Sequence, residues 1–193
     1  MINHYFFIRQ LAFQLHEQLS GSRLLNLVSP DMQELFLLFV KEGQTHQLRL
    51  NFESNFSLLQ YLPNTNQLPK RYEKQLFDAW EREIISVKAM VGERLMVLAL
   101  ADGYEIWIKF YGHMGNALLL QNGQVRSVFR RSRQKDFAFD AANFTEDRAD
   151  FSFAGIEPKL PALPGHNRWD RPTADFSLSD HPHWFAQPCF FIE

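Results

Sequence analysis

The chain has 193 residues, of which 46% are hydrophobic and 22% charged, a composition that excludes a disordered or fibrous protein. Its single cysteine, Cys189, excludes an intrachain disulfide scaffold. The formal charge of -2 is uneven, because residues 1–135 carry 16 Lys and Arg against 12 Asp and Glu, whereas residues 136–193 carry 4 against 10, giving +4 and -6.

At the N-terminus Phe7, Leu11, Leu15 and Leu19 recur every fourth residue, with Ile8 and Ala12 alongside and Gly21 as a C-terminal stop. Residues 3–20 are therefore predicted as one amphipathic helix. Arg9, Gln10, Gln14, His16 and Glu17 interrupt it, so it is neither a signal-peptide core nor a membrane span of about 20 apolar residues. A cytoplasmic protein with no membrane contact is expected. Short strands follow at residues 23–29, 34–41 and 45–52, separated by Ser29-Pro30-Asp31 and Glu42-Gly43. In the third, Leu48, Leu50 and Phe52 alternate with Gln47, Arg49 and Asn51, the period of a sheet with one wet face. Residues 57–61 are read as a fourth strand.

Pro63 and Pro69 bracket a polar loop, after which Tyr72, Leu76, Phe77 and Trp80 fall at helical spacing and predict a second helix over residues 70–83. Five more strands are predicted at residues 84–90, 94–101, 104–110, 117–120 and 124–129. Asp102-Gly103 and Asn122-Gly123 tolerate the positive φ of two-residue hairpin turns, which makes the connectivity antiparallel. Six of the nine prolines lie in the last 36 residues. Proline lacks the N–H that helices and ladders need, so a domain is predicted over 1–135, followed by an acidic, aromatic tail over 136–193 that docks or begins a downstream region. The fold class read from this order is α+β, two antiparallel meanders with flanking helices.

Phosphate-loop, dinucleotide, nucleophile-elbow and zinc-peptidase motifs are all missing, so no enzyme and no cofactor is expected. His166, Asp180, His181, His183 and Cys189 have the chemistry of metal ligands, but simple loop and buried-hydrophobe readings suit them better. The basic run Arg126, Arg130, Arg131, Arg133 and Lys135 at a strand end is the candidate partner surface, since clustered cations engage phosphates. Between two strands, Gly112, His113, Gly115 and Asn116 form a glycine-containing bend that allows close backbone approach.

The order of these segments resembles the N-terminal NFACT domain of the fibronectin-binding protein A and RqcH-like ribosome quality-control family. The resemblance rests on the opening helix through Gly21-Ser22-Arg23, on Glu34-Leu35-Phe36-Leu37, on Gly92-Glu93-Arg94-Leu95, and on Gly112-His113-Met114-Gly115-Asn116 with the leucines after it. It covers residues 3–131. It implies a fold similar to the N-terminal domain of formamidopyrimidine-type DNA glycosylases, and binding of tRNA and of obstructed large ribosomal subunits. The family's Asp-Arg pair, implicated in C-terminal tailing, falls on Glu93 and Arg94, with the carboxylate one methylene further out. The glycosylases use an N-terminal proline amine followed by a glutamate. Here Met1 is followed by Ile2 and Asn3, so base excision is not expected.

Overall fold

Gly21 stops the first helix as its sequence position requires, at φ 77°, where a β-carbon would be strained. In the computed structural model, which describes residues 4–31, 33–53, 56–65 and 81–147, that helix is α1 (Tyr5–Leu19). Ile8, Leu11, Ala12, Leu15 and Leu19 form its buried stripe. Burial of each of its leucines or its isoleucine contributes about 1.5–3 kcal/mol, more than intrinsic helix propensity supplies.

Among the described residues nine strands follow in two antiparallel meanders. The first sheet holds β1 (Arg23–Val28), β2 (Glu34–Lys41), β3 (Gln44–Glu53) and β4 (Phe56–Leu62) in sequential order. The second holds β5 (Ile84–Ala89), β6 (Leu95–Leu100), β7 (Tyr104–Lys109), β8 (Asn116–Gln121) and β9 (Gln124–Val128). Hairpin chemistry sets the register. Asp102 and Gly103 have φ 60° and 71°, and Asn122 and Gly123 have 51° and 78°, as the primed turns predicted there demand. Glu42 also takes positive φ beside Gly43, between the paired residues Lys41 and Gln44. The predicted helix over 70–83 falls mostly on residues 66–80, outside the described residues. Its last part differs from the expectation, because Glu81, Arg82 and Glu83 are non-helical.

Those residues instead join the two sheets. Gly21 N–H donates to the Ile84 carbonyl at 2.9 Å, Ile84 N–H to Ser22 at 2.8 Å, Leu24 N–H to Arg82 at 2.8 Å and Glu81 N–H to Leu24 at 2.6 Å. A main-chain seam thus ties the start of β1 to the start of β5. Leu35, Leu37 and Phe39 of β2, Leu48, Leu50 and Phe52 of β3, and Leu98, Ile106, Ile108 and Leu119 of the second sheet share one core with α1. The period-2 reading of β3 holds for those apolar positions, but His46 and Gln47 are also buried.

A smaller apolar cluster lies apart from that core, around Leu95, Val97, Trp107, Leu118 and Val128. Residues beyond Lys135 pack against it. The rings of Phe139 and Phe144 stack at 5.1 Å and meet Trp107 at 5.2 and 5.9 Å. Polar ties continue the docking, with Glu146 on Lys88 at 2.9 Å and Asp147 on Arg9 at 2.6 Å. The packed unit among the described residues therefore runs past Lys135 to Asp147. No helix among the described residues is long and apolar enough to cross a membrane.

Candidate nucleic-acid interface

Antiparallel register decides which distant residues meet. β6 begins where β7 ends and β8 begins, with Leu95 opposite Lys109 and Lys109 opposite Asn116. Phe129, just past β9, donates its N–H to the Ala117 carbonyl at 2.8 Å. Arg94, the bend after β7 and the basic residues after β9 are therefore gathered at one end of the second sheet, although long stretches of chain separate them.

Tyr111 is the hub of that end. Its hydroxyl donates to Glu93 Oε2 at 2.7 Å, while the Arg94 guanidinium lies 5.0 Å and Lys109 Nζ 5.7 Å from the ring centroid. Burial, then the hydrogen bond and charge of Glu93, push the phenol well above its ordinary pKa, with Arg94 opposing. The phenol therefore stays a hydrogen-bond donor at neutral pH. Among the described residues no ion pair joins Glu93 to Arg94, so the two are coupled through the tyrosine rather than directly. That leaves the guanidinium's hydrogen-bonding fork open to a phosphate or carboxylate.

Beneath them lies a buried polar knot. Asp136 accepts from Lys109 Nζ through Oδ1 and from Asn116 Nδ2 through Oδ2, the latter at 2.6 Å. Asn116 in turn accepts from Arg130 N–H at 2.8 Å and Ala117 N–H at 3.0 Å. Arg130 Nη1 donates to the carbonyls of Phe52 at 3.0 Å, Gly115 at 3.2 Å and His113 at 3.5 Å. Its guanidinium clamps the bend of the second sheet to the end of β3, and burial, then Arg133, lowers its pKa from the ordinary value. The bend itself is a short 3-10 turn, Gly112–Met114. Gly112 has φ 58° with open space around it, whereas a β-carbon on Gly115 would meet the Gly112 carbonyl and the Phe52 ring at 3.0 Å. The close approach expected at this bend is thus to the protein's own Phe52.

The predicted residues separate into three groups. Glu93, Arg94, Arg133 and the bend converge directly at the sheet end; Arg131 and Lys135 are exposed beside them. Arg126 is exposed on β9, within the register shift opposite Leu119 and Leu120, away from the hub. Arg130 is committed to main-chain carbonyls. A cleft of about 640 Å³ opens among Lys109, Tyr111, Met114, Arg133, Lys135 and Asp136. Tyr111 and Met114 belong to the glycine-containing segment that sequence reasoning noted, without a role of their own, whereas Lys109 and Asp136 were not singled out. A lysine ending a strand and an aspartate closing a basic run carry no motif, and only the pairing of β7 with β8 brings them together. Among the described residues no group of three or more His, Cys, Asp or Glu could hold a metal ion. His166, Asp180, His181, His183 and Cys189 lie outside the described residues.

The fold defines an α+β domain of two antiparallel meanders joined by a helix and a main-chain seam, with cations gathered at one sheet end. Solved structures share it. The N-terminal domain of the fibronectin-binding protein PavA from Streptococcus pneumoniae matches with a TM-score of 0.56 and 20% identity, over 64% of this chain and 52% of that one. The fibrinogen-binding protein from Staphylococcus aureus matches at 0.53 and 21%, over 67% and 50%. The N-terminal part of the fibronectin/fibrinogen-binding protein from Streptococcus suis matches at 0.52 and 16%, over 65% and 51%. The chain spans about half the length of each of these neighbours. No protein-family model matches the chain, and no curated protein matches it in sequence. At these identities the likeness is one of fold.

Proposed function

We propose that this is a non-enzymatic RNA-binding domain of the NFACT type, which engages tRNA and the large ribosomal subunit in ribosome quality control in the cytoplasm. The observation that carries the reading is the convergence of Glu93-Arg94 and of Arg131, Arg133 and Lys135 on one sheet end. Two segments that sequence reasoning singled out separately thus lie at the same sheet end, where Arg133 and Lys135 line the cleft and Glu93 and Arg94 meet its Tyr111. Arg94, Arg131 and Lys135 form no ion pair among the described residues, so their charge is available to phosphates. The fold shared with PavA-like N-terminal domains supports the family assignment. The likeness to formamidopyrimidine-type glycosylases belongs to the same reading.

The test is a titration of labelled tRNA with the full 193-residue chain at two salt concentrations, repeated with Arg94→Ala. Salt-dependent binding that the substitution weakens while the fold is retained is the expected result. Binding to fibronectin or fibrinogen with none to tRNA would replace this reading by the one in the neighbours' names.

A further inference from the structure

The cleft differs from a plain anion site in having, among the described residues, unpaired cations at its rim and a closed ion pair, Lys109 with Asp136, at its inner end. Lys135 is exposed and Arg133 is partly exposed at the rim, the latter fixed by donating to the His113 carbonyl. At the inner end sits the carboxylate of Asp136, with 6% of the residue exposed. Each Asp136 oxygen already accepts one hydrogen bond and has a second lone pair left. Between the ends the wall includes the Tyr111 ring and Met114, which is 50% exposed although apolar. A phosphate or sulfate alone would gain from the rim but, having no far-end donor to offer, would leave the spare lone pairs of the Lys109-paired Asp136 unmet. A ligand with an anionic end, a flat apolar body and hydrogen-bond donors at its far end satisfies all three zones.

We infer that the cleft holds one unpaired nucleoside 5′-phosphate, either free or as an unstacked residue of an RNA chain. The phosphate meets Arg133 and Lys135, and the base covers the Met114 thioether beside Tyr111. An exocyclic amine or a ribose hydroxyl donates to Asp136. The volume of about 640 Å³ lies within the range of small-molecule pockets, whereas the base pairs of an intact duplex keep their planes stacked and out of reach. This deepens the RNA reading, on which it rests, by naming the unit that is recognised.

Methionine-methyl NMR on the full chain tests it, because Met114 is one of five methionines and sits on the cleft wall. Nucleoside monophosphates are expected to shift the Met114 methyl saturably through the ring current of the base, while orthophosphate at the same concentration leaves it in place. Lys135→Ala, at an exposed position, is expected to weaken that titration on the order of tenfold without changing the spectrum of the free protein. A single-stranded oligonucleotide should move the same methyl at lower concentration than the monophosphate, and the matched duplex should not; a monophosphate that acts alone marks a free nucleotide as the ligand. If no monophosphate moves Met114, or orthophosphate moves it equally, the inference is overturned. Salt-dependent tRNA binding that persists in that case leaves the RNA reading standing, so the two failures are distinguishable.

Discussion

Asp136 offers the sharpest test of the polar knot. Its carboxylate is the counter-charge of Lys109, whose side chain is 14% exposed, and the acceptor for Asn116, which is fully buried. Asp136→Ala removes one partner of a buried ion pair, strands the Lys109 ammonium, and leaves the Asn116 amide with only its longer bond to the Arg130 carbonyl at 3.4 Å. Loss of one member of such a pair costs about 3–5 kcal/mol, because the remaining charge stays desolvated. The Tyr111 and Phe139 rings, each 5.7 Å from Lys109 Nζ, soften this only partly. Urea unfolding followed by circular dichroism reads the change. With a slope of about 2 kcal/mol per molar, the midpoint should fall by roughly 2 M. The paired change Lys109→Met with Asp136→Leu should recover most of the loss, since replacing both members by apolar groups removes the stranded charge. A loss below about 1 kcal/mol for Asp136→Ala would falsify the claim that the buried pair of Lys109 and Asp136 depends on both its members.

Three further outcomes follow from the same contacts. Gly115→Ala should destabilise by about 1–3 kcal/mol through overpacking against the Gly112 carbonyl and the Phe52 ring, whereas Gly112→Ala should cost about 1–2 kcal/mol for its left-handed backbone alone. Asparagine should restore part of the loss at Gly112 and none at Gly115, and equal rescue in thermal unfolding would contradict this assignment. Burial, then the charge of Lys41, lowers the pKa of His46, whose Nδ1 lies 2.8 Å from the Tyr61 hydroxyl. The folded state thus favours the neutral ring. Its contribution is complete above the unfolded value of about 6.5 and is lost as pH falls from there toward the folded value. The stability difference between the wild type and His46→Gln should shrink over that window; a constant difference would refute it. Replacing exposed Arg131 and Lys135 together by alanine should reduce the salt slope of RNA binding by about 1.5, and an unchanged slope would move the interface elsewhere.

What sequence reasoning recovered here was what local chemistry encodes. The four-residue spacing of Phe7, Leu11, Leu15 and Leu19 marked α1, and Asp102-Gly103 and Asn122-Gly123 marked hairpins whose φ values agree. Glu93 and Arg94 were legible as a pair only through family resemblance, and their coupling through Tyr111 was not legible at all. A hydroxyl that reaches back along the chain to a carboxylate has no periodic signature. Asp136 was counted with an acidic tail because composition averages over a segment, whereas its role depends on Lys109 and Asn116 across two strands. Arg130 looked like one of five equivalent cations. Its three carbonyl partners, one of them on the other sheet, make it a clamp instead.

The seam between residues 21–24 and 81–84 bears on how the chain reaches this fold and on what it tolerates afterwards. Each meander is made of contacts close in sequence, so each can form by local zipping. The seam must wait for two ends that the whole first meander keeps apart, and its closure is the slow, non-local step. A proline at Leu24 or Ile84, whose N–H groups donate across the seam, should uncouple the two sheets while leaving each hairpin turn intact.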